Sequence, residues 1–353
     1  MNEKQLKLFA GVFVFLLVAF FITKPRSKSV DLDAFVQNIV IGVAQEDVKG
    51  IDIYKEQATG EAVKMSFAKL DDQWRLLSHH HAKAQNSRVE KLIAEALEMT
   101  GKLRSDDPKH HASFQITDAA GLHMLLKDES GKTLANLIVG KNSEDAGNGF
   151  VRFSGNDKVY FTDKNLLSAL SINGNIDTLS TFNQKGFVDL EAVDEKKEDL
   201  AIVGMVDGRR QMIVKKVTRQ EAVMQADSTE QMVDKDLWVL MKGEKEVDLD
   251  QAEVSKFLGD VLRIRASEAV DRIGNSLNDL AKGGQYGVGR PSRYIVFRTP
   301  DGQQKNVIIG KAFEKDKGVY MQVQYDEGLV YKLAQSTYDK IWKWMKELPE
   351  KTI

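Results

Sequence analysis

Five of the six histidines fall in two clusters, His79-His80-His81 and His110-His111, and His123 stands alone. Imidazole titrates near neutral pH and is a common metal ligand, so acid–base or metal chemistry would be sought here first. A zinc site needs three or four converging ligands. Consecutive residues of an extended segment point to opposite faces, so at most two of the triplet can share one metal. Both clusters lie in polar stretches, SHHHAKAQN and DDPKHHAS, flanking one helix. They read as solvated loops, with a metal site and a pH-sensing contact as the alternatives. The C-terminal half has no histidine and cannot repeat the site.

Other chemistry finds little support. Gly283, Gly284, Gly287 and Gly289 precede a proline and a strand, the wrong context for a dinucleotide fingerprint, and read as a turn. No phosphate-binding G-x-x-x-x-G-K-[ST] loop, G-x-S-x-G elbow or H-E-x-x-H motif occurs. The absence of cysteine removes thiolate catalysis, disulfides and Cys-type zinc sites. The carboxylate pairs Asp71-Asp72 and Asp106-Asp107 read as solvated, the first in a hairpin turn. Arg209-Arg210 and Lys215-Lys216 flank a hairpin and read as a charged strand edge. On the last helix Trp342 fits the buried stripe; Trp344, about 200° further round, is expected to be exposed and a candidate partner contact. No residue is assigned a catalytic, cofactor-binding or metal-ligating role, and no cofactor is expected.

Composition agrees with that reading. Hydrophobic residues make up 42% and charged residues 29%, a globular balance, and 353 residues suggest more than one domain. A formal net charge of −2 gives no support to nucleic-acid binding. The run Leu8–Ile22, LFAGVFVFLLVAFFI, carries no charge. As a helix it spans about 22 Å. Lys4, Lys7, Lys24 and Arg26 can snorkel to extend its reach. No Ala-x-Ala-like cleavage site follows, so an uncleaved single-pass signal-anchor is expected, held by membrane lipid, with the remainder of the chain extracytoplasmic. Basic residues on both sides leave the positive-inside rule undecided.

Behind the anchor the chain repeats itself. Trp74 and Trp238 each precede an amphipathic helix. Val89, Leu92, Ile93, Ala96 and Leu97 in one match Val254, Phe257, Leu258, Val261 and Leu262 in the other, at i, i+3, i+4, i+7 and i+8. Ser87 with Glu90, and Asp250 with Glu253, are the expected helix N-caps. Each unit continues with a strand, a Gly turn (Gly131, Gly302), a second strand ending at Gly140 or Gly310, a further hairpin carrying Val159-Tyr160 or Val330-Tyr331, and a short helix. The expected fold class is α+β: one N-terminal transmembrane helix, then two duplicated α+β domains with mainly antiparallel sheets. The divisions are tail and anchor 1–29, first unit 30–170, linker 171–198 and second unit 199–353. Thr218–Asp236 and Asp271–Gly289 read as surface insertions in the second unit.

These features together resemble the bacterial family called domain of unknown function 4340. The N-terminal apolar anchor and the W-[RV]-L segments carry the resemblance. So do Tyr286-Gly287-Val288-Gly289-Arg290-Pro291, the strands ending IVG or IIG, and the VY strands. The first unit departs at Phe114-Gln115-Ile116-Thr117-Asp118-Ala119. The resemblance implies a cell-envelope protein of the bacterial inner membrane, its soluble part periplasmic. It further implies a non-enzymatic accessory or scaffold role beside an ABC-type transporter of the gliding-motility kind, with a permease and an ATPase as partners. A metal-dependent envelope hydrolase using the His clusters, and a purely structural envelope tether, are the alternatives.

Overall fold

The computed structural model describes residues 36–56, 62–144, 147–173, 176–224, 230–274, 277–314 and 317–348. The expected anchor Leu8–Ile22 lies outside them. Among the described residues no helix is long and apolar enough to cross a membrane.

The chain first forms β1 (Gln37–Asn38), β2 (Gly50–Glu56), β3 (Ala62–Leu70), β4 (Gln73–Leu76) and β5 (Ala82–Lys83). Helix α1 (Asn86–Leu97) follows, then β6 (Thr100–Ser105), β7 (Leu122–Lys127), β8 (Thr133–Asn142), β9 (Gly149–Phe153), β10 (Val159–Thr162) and α2 (Leu166–Ala169). Beyond β11 (Glu191–Asp194) come β12 (Ile202–Asp207), β13 (Arg210–Met224), β14 (Glu230–Lys242), β15 (Lys245–Asp248) and α3 (Gln251–Val261). The chain closes with β16 (Arg263–Arg265), β17 (Glu268–Arg272), α4 (Leu277–Gly283), β18 (Arg293–Arg298), β19 (Gln304–Glu314), β20 (Gly318–Val323), β21 (Leu329–Ala334), α5 (Gln335–Trp342) and α6 (Trp344–Glu347).

Two large sheets repeat one topology. The first runs β1-β6-β10-β9-β8-β7-β2-β3-β4-β5 and the second β17-β21-β20-β19-β18-β12-β13-β14-β15. Reading β12 for β2 and β18 for β7, and so on along the chain, superposes the two orders. All these pairings are antiparallel, so the architecture is α+β with mainly antiparallel sheets. The short β11–β16 pair follows the same plan: Glu195 N–H donates to the Leu262 carbonyl as Ile39 N–H donates to that of Met99.

The helices sit where the apolar stripes require. Val89, Leu92, Ile93 and Ala96 of α1 are buried, as are Val254, Phe257, Leu258 and Val261 of α3. Each large side chain so buried contributes about 1.5–3 kcal/mol by removal from water. The two helices start in register, contrary to the cap reading. Asp250 caps α3 by accepting from the N–H groups of Ala252 and Glu253, but α1 begins at Asn86 after Gln85, which makes no side-chain cap. Ser87 lies inside the helix. Asn86 is occupied elsewhere: its Oδ1 accepts from Trp74 N–H, just as Gln251 Oε1 accepts from Trp238 N–H. These bonds tie each helix start to the Trp strand before it.

Gly140 and Gly310 lie inside β8 and β19 and do not end them. A Cβ at Gly140 would stand 2.3 Å from the Phe114 carbonyl oxygen, and one at Gly310 2.2 Å from that of Tyr286. In both units the glycine lets a turn pack directly on the sheet. Each turn carries a left-handed residue, Gln115 (φ 57°) or Gly287 (φ 73°). The Phe114-Gln115-Ile116 turn is thus the counterpart of Tyr286-Gly287-Val288. The stretch expected as an insertion at Asp271–Gly289 holds the end of β17, α4 and this turn.

Thr218–Asp236 is likewise no irregular loop. From the pair Val217–Leu237 to the pair Met224–Glu230, β13 and β14 extend as a ribbon, laddered among the described residues only to each other. Eight residues of strand project about 26 Å. Because β13 lies between β12 and β14, Lys215 and Lys216 are not on a strand edge.

Residues 171–198, expected as a linker, are largely packed. Phe182 and Phe187 are buried, Phe187 meets Phe67 edge-on, and the Arg88 guanidinium lies 4.2 Å over its ring. One hydrophobic core runs from Ile39 through Phe187 to Trp344 and embraces both units.

Candidate functional site at the junction of the units

The His79–His81 triplet occupies the tight connection between β4 and β5. Ala82 N–H donates to the His79 carbonyl across it, at 3.0 Å. His80 (φ 57°) and His81 (φ 54°) are both left-handed, the conformation of a two-residue type I′ turn that favours Asn and Gly. Held in imidazole side chains, each such residue costs on the order of 1 kcal/mol, so packing must hold the turn in place.

That packing comes from the second unit. His79 reaches the main chain of Ala269 on β17 and lies near Lys185 and Glu268. His80 faces Asp271, Lys282 and Glu268; His81 faces Arg272 and Arg75. His79 and His80 are half-buried and their rings stand 4.7 Å apart. The solvated-loop reading therefore fails for His79 and His80, which lie in a seam between two units, and holds for His81, which is exposed. Burial lowers the pKa of all three imidazoles, helped by the His80 charge at His79, by Lys282 at His80 and by Arg272 and Arg75 at His81.

The facing carboxylates are each bound by cations. Glu268 accepts from Lys185 and from Lys332 (2.8 Å), which pull its pKa down to about 2. Burial pushes Asp271 up, but hydrogen bonds from Lys282 (2.6 Å), the Arg272 N–H (2.8 Å) and the Tyr286 hydroxyl (2.9 Å) outweigh it and hold the carboxyl below its usual range. Burial and the Asp271 charge push the Tyr286 phenol up to about 12. Deepest in the seam, Asp326 is 2% exposed and meets Arg75 (2.7 Å) and Lys83 (3.5 Å), both from the first unit. Its neighbour Glu327 pairs with Arg272. Burial and the adjacent Asp326 drive the Tyr331 phenol well above its ordinary range. Beside His79 a cleft of about 850 Å³ opens, lined by Lys64, Ser171, Thr181, Asn183 and Lys185 among others.

The remaining histidines lie elsewhere. His111 follows β6, is 8% exposed, and places Nε2 3.0 Å from the Asp157 carbonyl. His123 on β7 is buried, stacked at 4.6 Å on Tyr54, with Nε2 2.8 Å from the Asp118 carbonyl. Both are held structurally. His110 is exposed beside His111. Among the described residues no group of three or more His, Asp or Glu is disposed to hold a metal. Asp71 and Asp72 are left-handed and form the β3–β4 turn. Asp107 accepts from the Lys109 N–H to start a short 3-10 turn.

Trp344 corrects the exposure expected for it. The chain stays helical at Lys343 between α5 and α6 (φ −54°, ψ −35°), so Trp344 follows buried Ile341 by three residues on the same face: it is 4% exposed, edge-on to Phe257, with Nε1–H donating to Asp260 at 2.9 Å. Trp342 is half-buried and donates to Asp207.

Residues the sequence reading missed now dominate the site: Arg75, Lys185, Glu268, Asp271 and Asp326. They are ordinary charges until the two units dock. Tyr286 had a signal, as part of the motif in which the units differ. Phe114 takes its place in the first unit without a hydroxyl, and Ser105, opposite Val159 as Asp271 is opposite Val330, takes the place of the carboxylate.

Residues 74–236, from the first Trp strand to the ribbon of the second unit, match the model of a family described as a domain of unknown function (DUF4340), and this match supports the family. No curated protein and no solved structure matches the chain.

Proposed function

We propose that the protein is a single-pass, membrane-anchored accessory subunit of an ABC-type envelope transport complex, its two units outside the cytoplasm and acting by protein–protein contact without catalysis. The apolar run Leu8–Ile22 supports the anchor, and the family resemblance supports the setting. The observation that carries the reading is the β13–β14 ribbon. It stands clear of its sheet and exposes Met232 (58%) and Val233 (42%). A two-stranded ribbon is marginal alone in water and gains stability when something covers it. Polar links at its base brace it: Arg219 to Asp248 (2.6 Å) and Glu246 (3.1 Å), and Lys235 to Glu221 (2.7 Å).

The junction chemistry supports the same side. Its carboxylates are neutralised by lysine and arginine, an arrangement that joins the units.

The test is a mild-detergent pull-down of the tagged chain from native membranes, followed by mass spectrometry. The expected result is a permease and an ATPase in fixed ratio, lost when Met232 and Val233 are changed to Asp. Recovery of the folded chain alone would count against the accessory role. Metal analysis of that preparation would then test the hydrolase alternative.

A further inference from the structure

We propose that the His79-His80-His81 turn is an acid-sensitive latch: it holds the two units together while its imidazoles are neutral and releases them when they are protonated. The triplet lies in the first unit and packs on β17 of the second. Two of its residues hold a left-handed backbone conformation, costly for histidine, in a turn closed by the Ala82 N–H to His79 carbonyl bond.

The charges around it decide the sign. Arg75 faces the turn from β4, Lys185 from the segment before β11, Glu268, Asp271 and Arg272 from β17, and Lys282 from α4. The acids are already engaged. Glu268 holds Lys185 and Lys332, Asp271 holds Lys282, Asp326 holds Arg75 and Lys83, and Glu327 holds Arg272. New imidazolium charges at His79 and His80, with His81 at the exposed margin, therefore meet a seam whose carboxylates have cationic partners, and either repel those cations or displace them from the bridges that join the units. Glu268 and Asp271 attract the imidazoliums, but burial and the cations outweigh them. Neutral imidazole is accordingly the docked form, and the seam loosens as pH falls below the ordinary histidine range near 6.5. The corresponding β14–β15 connection of the second unit, Gly243-Glu244, has no histidine, so the device belongs to the junction alone.

The chain has no cysteine, so two introduced ones take spin labels uniquely. K91C on α1 and K256C on α3 use exposed side chains, one in each unit. Pulsed dipolar distances are measured on the full chain in lipid nanodiscs at pH 8, 6.5 and 5. The expected result is one distance at pH 8, a second population growing reversibly toward pH 5, and a pH-independent distribution once H79Q, H80N and H81N are added. A wild-type distribution that ignores pH, or a triple variant that opens like wild type, overturns the proposal. Histidine-selective NMR of the unsubstituted chain supplies a measurement independent of the variant's folding. Imidazoles of the triplet titrating at or above 6.5 would likewise overturn it.

Discussion

The guanidinium of Arg75 on β4 lies 2.7 Å from the carboxylate of Asp326, a residue 251 positions later in the chain and 2% exposed. With Lys83 3.5 Å from the other oxygen, this carboxylate is the buried electrostatic link between the two units. Removing one partner of such a pair leaves a charge in low dielectric, whereas removing both leaves none. Arg75→Met is expected to destabilise the fold by roughly 3 kcal/mol, and the Arg75→Met/Asp326→Leu pair by less. Urea denaturation of the four members of the cycle measures this; additive losses would show that the two residues do not act together.

The glycines under the turns make a steric prediction. Gly310→Ala places a Cβ 2.2 Å from the Tyr286 carbonyl oxygen, and Gly140→Ala one 2.3 Å from that of Phe114. Either is expected to cost about 1–3 kcal/mol through displacement of the turn. Gly131→Ala should cost less, since its Cβ would meet nothing within 4 Å and only its φ of 82° resists. Equal losses at the three positions in thermal melts would refute the packing argument.

Glu268 links stability to acid. Its pKa is about 2 in the folded chain against 4.5 for the free group, so the folded state binds its proton more weakly than the unfolded state does. The contribution is fully present above pH 4.5 and is lost as pH falls toward 2. Allowing for its partial exposure, it is on the order of 1–2 kcal/mol. Stability of Glu268→Gln measured against wild type from pH 7 to 3 should show a difference that shrinks as pH falls; a difference independent of pH would contradict the assignment.

At the alkaline end the relevant group is Tyr286. Its pKa, raised to about 12 by burial and Asp271, makes its contribution complete below pH 10 and lost as pH rises through 12. Tyr286→Phe is expected to cost about 1 kcal/mol at pH 7 and to remove one late-titrating phenol from the ultraviolet absorbance titration. Loss of a phenol that titrates near 10 instead would mean that the Asp271 hydrogen bond does not govern this phenol.

Trp344 is predicted to matter for folding and not for partner contact. Trp344→Ala should cost about 3–5 kcal/mol, because its ring fills the space against Phe257 and its N–H satisfies Asp260. A substitution without effect on the melting temperature would return it to the surface.

The chain determined a good deal by itself. Amphipathic periodicity located α1 and α3 and named their buried faces, because a 3.6-residue repeat admits one solution. Turn chemistry located the hairpins at Gly131 and Gly302, both with positive φ. The recurring order of Trp strand, helix and hairpins anticipated an arrangement that the two sheets share over nine strands. Only the tertiary structure decided the rest. Trp344 faces inward three residues after buried Ile341 because α3 covers that face of the last helical turns. The hydrogen bond from Trp74 N–H to Asn86, in place of a Ser87 cap, required knowing which strand lies beside the helix start. The junction was least legible. Arg75 and Asp326, or His80 and Asp271, become neighbours only where the two units pack against each other. Charge pairing across such a seam follows no local period, so spacing along the chain carries no trace of it.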